Sequence, residues 1–239
     1  MCGRYVSPDQ AAIEREWKLT RIRDQIKIPN WNVSPTHQVP AIRRIEEGAA
    51  EGQNGTELVA LRWGLIPFWA KGVAPKFGTI MATRERLASA PTWRGPWKQG
   101  RRCILPAHGF YEWQAVANGA GRTTKQPWYI RIGDQPVFGM AGLWDGSTKE
   151  DGTVIESCAV ITLPANQVMN VIQDTAGTNE GRMPAILHPA DQEAWLRGTP
   201  EQAFACLTPY EGELTIGCKV SSRVNSPKNN DAGLVEEVA

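Results

Sequence analysis

No run of about 18 apolar residues, the length a helix needs to cross a bilayer, occurs anywhere in the chain. The first 25 residues are charged, include Trp17, and lack the apolar stretch of a signal peptide. The expectation is a soluble, cytoplasmic protein with no membrane association. Cysteine is sparse and scattered: Cys2, Cys103, Cys158, Cys206 and Cys218 are odd in number and form no CxxC pair or Cys/His cluster at zinc spacing. A disulfide framework and a structural metal are both disfavoured, and no residue pattern calls for a cofactor. Excess charge is missing too. With 26 Lys and Arg against 25 Asp and Glu, the formal net charge is +1, so any attraction to nucleic acid must come from local basic patches.

What the chain does have is tryptophan, ten residues against four tyrosines and five phenylalanines. Most are expected in the core, while some could serve as platforms on which bases stack. At 239 residues with 41% hydrophobic content, the chain is long enough for one large core. Positions 10 to 28 carry apolar residues at roughly helical spacing and predict one amphipathic helix. Asn30 to Pro40 reads as turn and extended chain, and Glu46 to Thr56 as an exposed hairpin tip. Strands are expected over Leu58 to Ile66, over Arg101 to Trp113 with an interruption at Pro106, and over Trp128 to Ile132, Val137 to Leu143 and Ser157 to Leu163. Phe68 to Ile80 reads as a loop with a basic edge, and Arg84 to Ala90 and Asp191 to Leu196 as short helices. Many short strands and few helices indicate an α+β domain with a largely antiparallel, barrel-like sheet.

The chemistry begins at Met1-Cys2-Gly3-Arg4-Tyr5. Methionine aminopeptidase removes an initiator Met before a small residue, which would leave Cys2 with a free α-amine beside its thiol. The amine has an ordinary pKa of about 7.7–8.0 and the thiol one of about 8.5, so both are partly nucleophilic at neutral pH. Together they can add to an aldehyde twice, through nitrogen as a Schiff base and then through sulfur to close a thiazolidine. Arg4 places a cation next to this pair and suits phosphate.

The opening MCGRY, WGLIPFW at Trp63 to Trp69, the run from Pro91 to Trp113, RMPAIL at Arg182 to Leu187 and VNSPKNND at Val224 to Asp231 resemble the SRAP family, the SOS response-associated peptidase-like proteins that shield abasic sites by crosslinking to them. The resemblance implies a single SRAP-like domain over residues 1–239, with a core of about 2–231. Its substrate would be single-stranded DNA containing abasic sites. It implies Cys2 as the crosslinking nucleophile, Glu112 of GFYEW as a general acid and base, Arg4 as a phosphate contact and Trp69 as a residue that stacks on or wedges the strand. Self-processing peptidase and abasic-site lyase activities are further implications. Lys71, Lys76, Arg84, Arg94 and Arg101 flank the motif segments and are candidates for a basic groove.

The chain departs from the family pattern in two places. Met81-Ala82-Thr83-Arg84-Glu85 stands where the family carries Asn-Ala-Arg, and a thioether cannot donate the hydrogen bonds of an amide. Ile172-Gln173 stands where an Ile-His pair is common, and an amide cannot carry a proton on and off near neutral pH. His108 is a candidate stand-in, since extended chain over 108–112 would put His108, Phe110 and Glu112 on one face. Two other readings remain: a binding module of the same fold without the reaction, and an N-terminal-nucleophile amidohydrolase, since class II glutamine amidotransferases also begin Met-Cys-Gly.

Overall fold

The stretch LVALRWGLI is apolar at nearly every position, and a strand of that kind must be covered on both faces. In the computed structural model, which describes residues 3–26, 29–45, 55–76, 78–117, 122–173 and 181–238, that cover comes from a rolled sheet flanked by helices and by a second sheet. The N-terminal third forms β1 (Arg4–Ser7), α1 (Gln10–Glu16), β2 (Arg21–Ile22), β3 (Asn30–Val33), β4 (Gln38–Arg44) and β5 (Thr56–Trp63). The middle forms β6 (Met81–Thr83), α2 (Arg94–Lys98), β7 (Arg102–Ala107), β8 (Gly109–Ala117), β9 (Thr123–Ile132), β10 (Phe138–Thr148) and β11 (Val154–Pro164). The remainder forms α3 (Gln167–Gln173), β12 (Arg182–Pro184), β13 (Ile186–Leu187), α4 (Gln192–Arg197), α5 (Pro200–Ala205) and β14 (Thr215–Lys219).

Strands β5, β4, β7, β10 and β11 pair in that order, and β11 pairs back onto β5 through Ser157↔Arg62 and Cys158↔Trp63, which closes the barrel. Side-chain alternation fills both sides. Val59, Leu61, Trp63, Cys103, Leu105, Met140, Cys158 and Val160 join one buried cluster. Their neighbours Leu58, Ile104, Ala141, Leu143, Ala159 and Ile161 join another, with Trp93, Trp97 and Trp195 of the helical layer. The second sheet runs β14-β9-β8-β1-β3, with Phe110 and Ile130 in the first cluster and Tyr111 and Tyr129 on the opposite face under Val224 and Leu234. The expected α+β class and barrel-like, largely antiparallel sheet are what the molecule has.

Several local expectations need correction. Helix α1 is capped by the Asp9 carboxylate on the Ala12 N–H at 2.7 Å, but it ends at Glu16, far short of residue 28. Trp17 is extended and buried, with its indole N–H on Gln192 Oε1 at 2.7 Å, and Arg21–Ile22 then pairs with β5. Pro106 does not interrupt its strand. It lies inside β7 beyond the β4 pairing, which includes Ile42↔Ile104 and Arg43↔Cys103, so its missing N–H costs no bond to β4. The break falls at His108 instead, whose N–H bonds Val6 O at 2.9 Å. Arg84 to Ala90 is reduced to a 3-10 turn at Arg84–Arg86, and α2, α3 and α5 were not anticipated. Most of the 46–56 tip lies outside the described residues, between the paired strands β4 and β5. None of the described helices is long and apolar enough to cross a membrane.

Candidate active site

Strand β1 runs antiparallel to β8 in the register Val6↔Gly109, Tyr5↔Phe110, Arg4↔Tyr111. Glu112 follows Tyr111 by one residue and so lies next to the Arg4 end of this pairing. Cys2 itself lies outside the described residues. Glu112 follows Phe110 by two positions and shares its face, yet it is only 3% exposed. A carboxylate is costly to bury without donors. One is supplied by Gln173, at the end of α3, whose Nε2 donates to Glu112 Oε2 at 2.8 Å. The structure thus brings together two residues singled out from sequence.

Gln173 is held in turn by the backbone of Arg182. The Arg182 N–H donates to Gln173 Oε1 at 2.6 Å, and Gln173 Nε2 donates to Arg182 O at 2.6 Å. Gly181 allows this approach, since a Cβ there would lie 2.7 Å from both Gln173 Oε1 and Asn170 Oδ1. The Arg182 guanidinium forks onto Glu85, with both N···O distances at 3.0 Å, and a third bond of 2.6 Å reaches Thr162 O. The arginine's hydrogen bond holds the Glu85 carboxyl below its ordinary range. Neither Arg182 nor Glu85 was assigned a role from sequence, although both lie in quoted segments. The signal missed was their pairing, which only the fold reveals.

Met81 opens β6, opposite Val160 of β11, and packs partly buried against the core, two residues before Thr83↔Thr162. Arg84 lays its guanidinium 4.0 Å from the Phe204 ring centroid. Arg4 is a brace, donating to Asn32 Oδ1 at 2.7 Å and to the carbonyls of Val224 at 2.9 Å and Asn225 at 3.3 Å. It therefore ties the VNSPKNND segment to the first strand, and Trp113 adds a 2.7 Å indole bond to Asn225 Oδ1.

His108 does not serve Glu112. It precedes β8 and shares a 2.8 Å hydrogen bond with Pro136 O through Nδ1. Four residues of extended chain span roughly 13 Å, too far for an imidazole to reach that carboxylate. Trp69 stands on a turn anchored by β10, where Asp145 Oδ2 accepts from Phe68 N–H at 2.9 Å and Ser147 Oγ from Gly72 N–H at 2.9 Å. Trp69 is 48% exposed and Phe68 57%, whereas Trp17, Trp63, Trp93, Trp97, Trp144 and Trp195 are buried. Trp31, Trp113 and Trp128 are half-buried, which leaves Trp69 as the tryptophan most presented to solvent. Trp69, Lys71, Val73 and Lys149 line an open cleft of about 680 Å³. Among the other basic candidates, Arg101 is paired with the buried Asp145 and lies 5.2 Å from the Trp144 ring centroid. Lys76 and Arg94 are exposed. No group of three or more His, Cys, Asp or Glu side chains able to hold a metal ion occurs among the described residues.

The chain is similar to abasic site processing protein YoqW of Bacillus subtilis, at 35% identity over 87% of this chain and 86% of that one. It is also similar to abasic site processing protein HMCES of Xenopus tropicalis, at 28% identity over 96% of this chain and 76% of that one. Among solved structures, a protein from Bordetella bronchiseptica matches with a TM-score of 0.74 and 25% identity over 92% of this chain and 100% of that one. A protein from Bacteroides thetaiotaomicron matches with a TM-score of 0.72 and 27% identity over 88% and 86%. The family model for SOS response associated peptidase (SRAP) matches residues 1–227. With its motifs in order, its barrel closed and its relatives aligned over most of their length, the chain belongs to the SRAP family.

Proposed function

We propose that the protein processes abasic sites in single-stranded DNA by covalent capture through Cys2, with Glu112 as the proton-transfer group. The observation that carries this reading is the buried Glu112 carboxylate, held by Gln173 next to the Arg4↔Tyr111 pairing of the first strand. The abasic sugar opens to an aldehyde. Once residue 1 is removed, the Cys2 amine adds to that carbonyl and loses water to give a Schiff base. The thiol then adds across the C=N bond and closes a thiazolidine, its proton passing to nitrogen. A carboxyl group at hydrogen-bond reach can shuttle protons in both steps. β-Elimination from the Schiff base would give the lyase activity.

The other cysteines are poor rivals. Burial pushes the Cys103 thiol up to about 12 and that of Cys158 well above its ordinary value, and burial also raises Cys206 and Cys218. A thiol held protonated is a weak nucleophile. The exposed Trp69 and Phe68 would stack on bases flanking the lesion, with Lys71 and Lys149 for phosphates. Met81 favours a second reading, a non-covalent binder of single-stranded DNA, because its thioether lacks the donor an asparagine would bring.

Incubation with an abasic single-stranded oligonucleotide separates the two. The covalent reading predicts an adduct that survives denaturation, absent in Cys2→Ala, with salt-sensitive binding retained by the variant. No adduct from wild type, or an undiminished one from Cys2→Ala, would contradict it.

A further inference from the structure

We propose that the Glu85–Arg182 ion pair is a positioning latch for Glu112, transmitted through the amide of Gln173; this rests on the crosslinking role proposed for Glu112. The two ends of the latch come from opposite edges of β11. Thr83 of β6 and Pro184 of β12 both pair with Thr162, so Glu85, two residues after β6, and Arg182, the first residue of β12, belong to segments that flank one residue. Arg182 crosses this point, bonding Thr162 O on the way and forking onto Glu85 beyond it. A two-point fork fixes the guanidinium in plane and direction, which a single contact does not.

The backbone of Arg182 then orients the next group. Its N–H and C=O meet Gln173 Oε1 and Nε2, so the carboxamide is gripped at both ends. Flipping it would set Oε1 against both the Arg182 carbonyl and the Glu112 carboxylate, placing acceptor against acceptor. The amide is thereby held in the one orientation that presents N–H to Glu112 Oε2. Gly181, with no Cβ, lets the Gln173 amide and the Asn170 side chain close onto the backbone at this point. Glu85 and Arg182 act on Glu112 through the Gln173 amide, so they are positioning residues rather than catalytic ones.

A latch of this kind affects the rate of the chemical step and not the capture of DNA. The test uses full-length protein and a saturating abasic single-stranded oligonucleotide. Single-turnover adduct formation is followed for wild type, Arg182→Lys, Glu85→Gln, Glu112→Gln and the double variant Arg182→Lys/Glu112→Gln. Melting temperatures and affinity for an intact single-stranded oligonucleotide are measured alongside. Arg182→Lys keeps the charge and the backbone clamp but loses the fork. It is expected to lower the maximal rate about 10-fold, within the range for directly coupled residues, with affinity unchanged. Glu85→Gln, which leaves Arg182 in place, should do the same. In the Glu112→Gln background the Arg182→Lys change should cost less than about 2-fold, because its target is gone. Wild-type maximal rates in both latch variants, losses confined to affinity, or losses that multiply in the double variant would each overturn the latch. A wild-type protein that forms no adduct would overturn the functional reading itself, and the latch with it.

Discussion

In the proposed mechanism, Glu112 is the residue on which the chemistry turns. A general acid or base of this kind contributes about 10²- to 10⁴-fold. Glu112→Gln keeps the size and a hydrogen-bonding carbonyl but removes the titrating oxygen. The variant should fold, bind single-stranded DNA as wild type does, and form adduct at least about 10²-fold more slowly. An unchanged rate constant under single-turnover conditions would reduce Glu112 to a buried strand residue. The same scale shows how motifs and geometry differ as guides. Glu112, Gln173 and Arg182 could all be picked out as letters, but that Gln173 links the other two depends on a 2.6 Å clamp between residues nine apart. His108 was placed on the Glu112 face by alternation alone, and the strand begins one residue too late for that. Arg4 was assigned to phosphate by position, and its partners are Asn32 and two backbone carbonyls from a segment 220 residues away.

At the scale of elements, the barrel strands β5, β7, β10 and β11 were legible, whereas β4, the short strands β1, β6, β12, β13 and β14, and the helix ends were not. Runs such as Val137 to Leu143 announce themselves because both faces of the barrel wall are apolar, so no register error could hide them. The helix expected over 10 to 28 failed because the burial of Trp17 and the pairing of Arg21–Ile22 with β5 override local spacing. Helices α2, α3 and α5 span five to seven residues, too short for a periodic pattern to show. Glycine within β10 carries information of a different sort. A Cβ on Gly142 would lie 2.9 Å from Cys103 Sγ and 3.1 Å from the Ala159 carbonyl, as well as inside Leu105, so the barrel wall closes directly over this position. Gly142→Ala should therefore destabilise the fold by about 1–3 kcal/mol through overpacking. For a chain of this length that corresponds to a fall in Tm of about 2–4 °C per kcal/mol. A Tm equal to that of wild type would show that the wall has slack there.

For the molecule as a whole, the barrel rim carries a charged network that links stability to pH. Arg43 is nearly buried, bonded to Glu57 at 2.8 Å and to Glu156 at 2.6 Å, with Trp144 4.0 Å beneath it. Arg23 joins from the other side, at 2.5 Å from Glu156 and 2.9 Å from Asp24. Burial alone would raise the Glu156 and Asp24 carboxyls. For Glu156 the hydrogen bonds and charges of Arg23 and Arg43 override it; for Asp24 the Ala60 N–H and the same arginines do so, leaving both carboxyls below their ordinary values. A carboxyl lowered on folding contributes stability that is fully present above its unfolded value, about 4.3 for Glu and 3.9 for Asp, and is lost as pH falls through the folded value. The Tm should accordingly hold steady from neutrality to about pH 5 and decline below it. Glu156→Gln should lower the Tm at pH 7 and make the acid decline shallower. A decline of wild-type steepness in the variant would remove Glu156 from the cause.

The central claim is covalent capture of an abasic aldehyde by Cys2, and the most direct measurement is the mass and position of the link. Wild-type protein from cells, reacted with an abasic single-stranded oligonucleotide, is analysed intact and then by peptide sequencing in a mass spectrometer. The predicted product equals protein lacking Met1 plus oligonucleotide minus one water, with the remnant on the peptide that begins at Cys2. An adduct that retains Met1, or a link on a lysine or any other cysteine, would contradict the account.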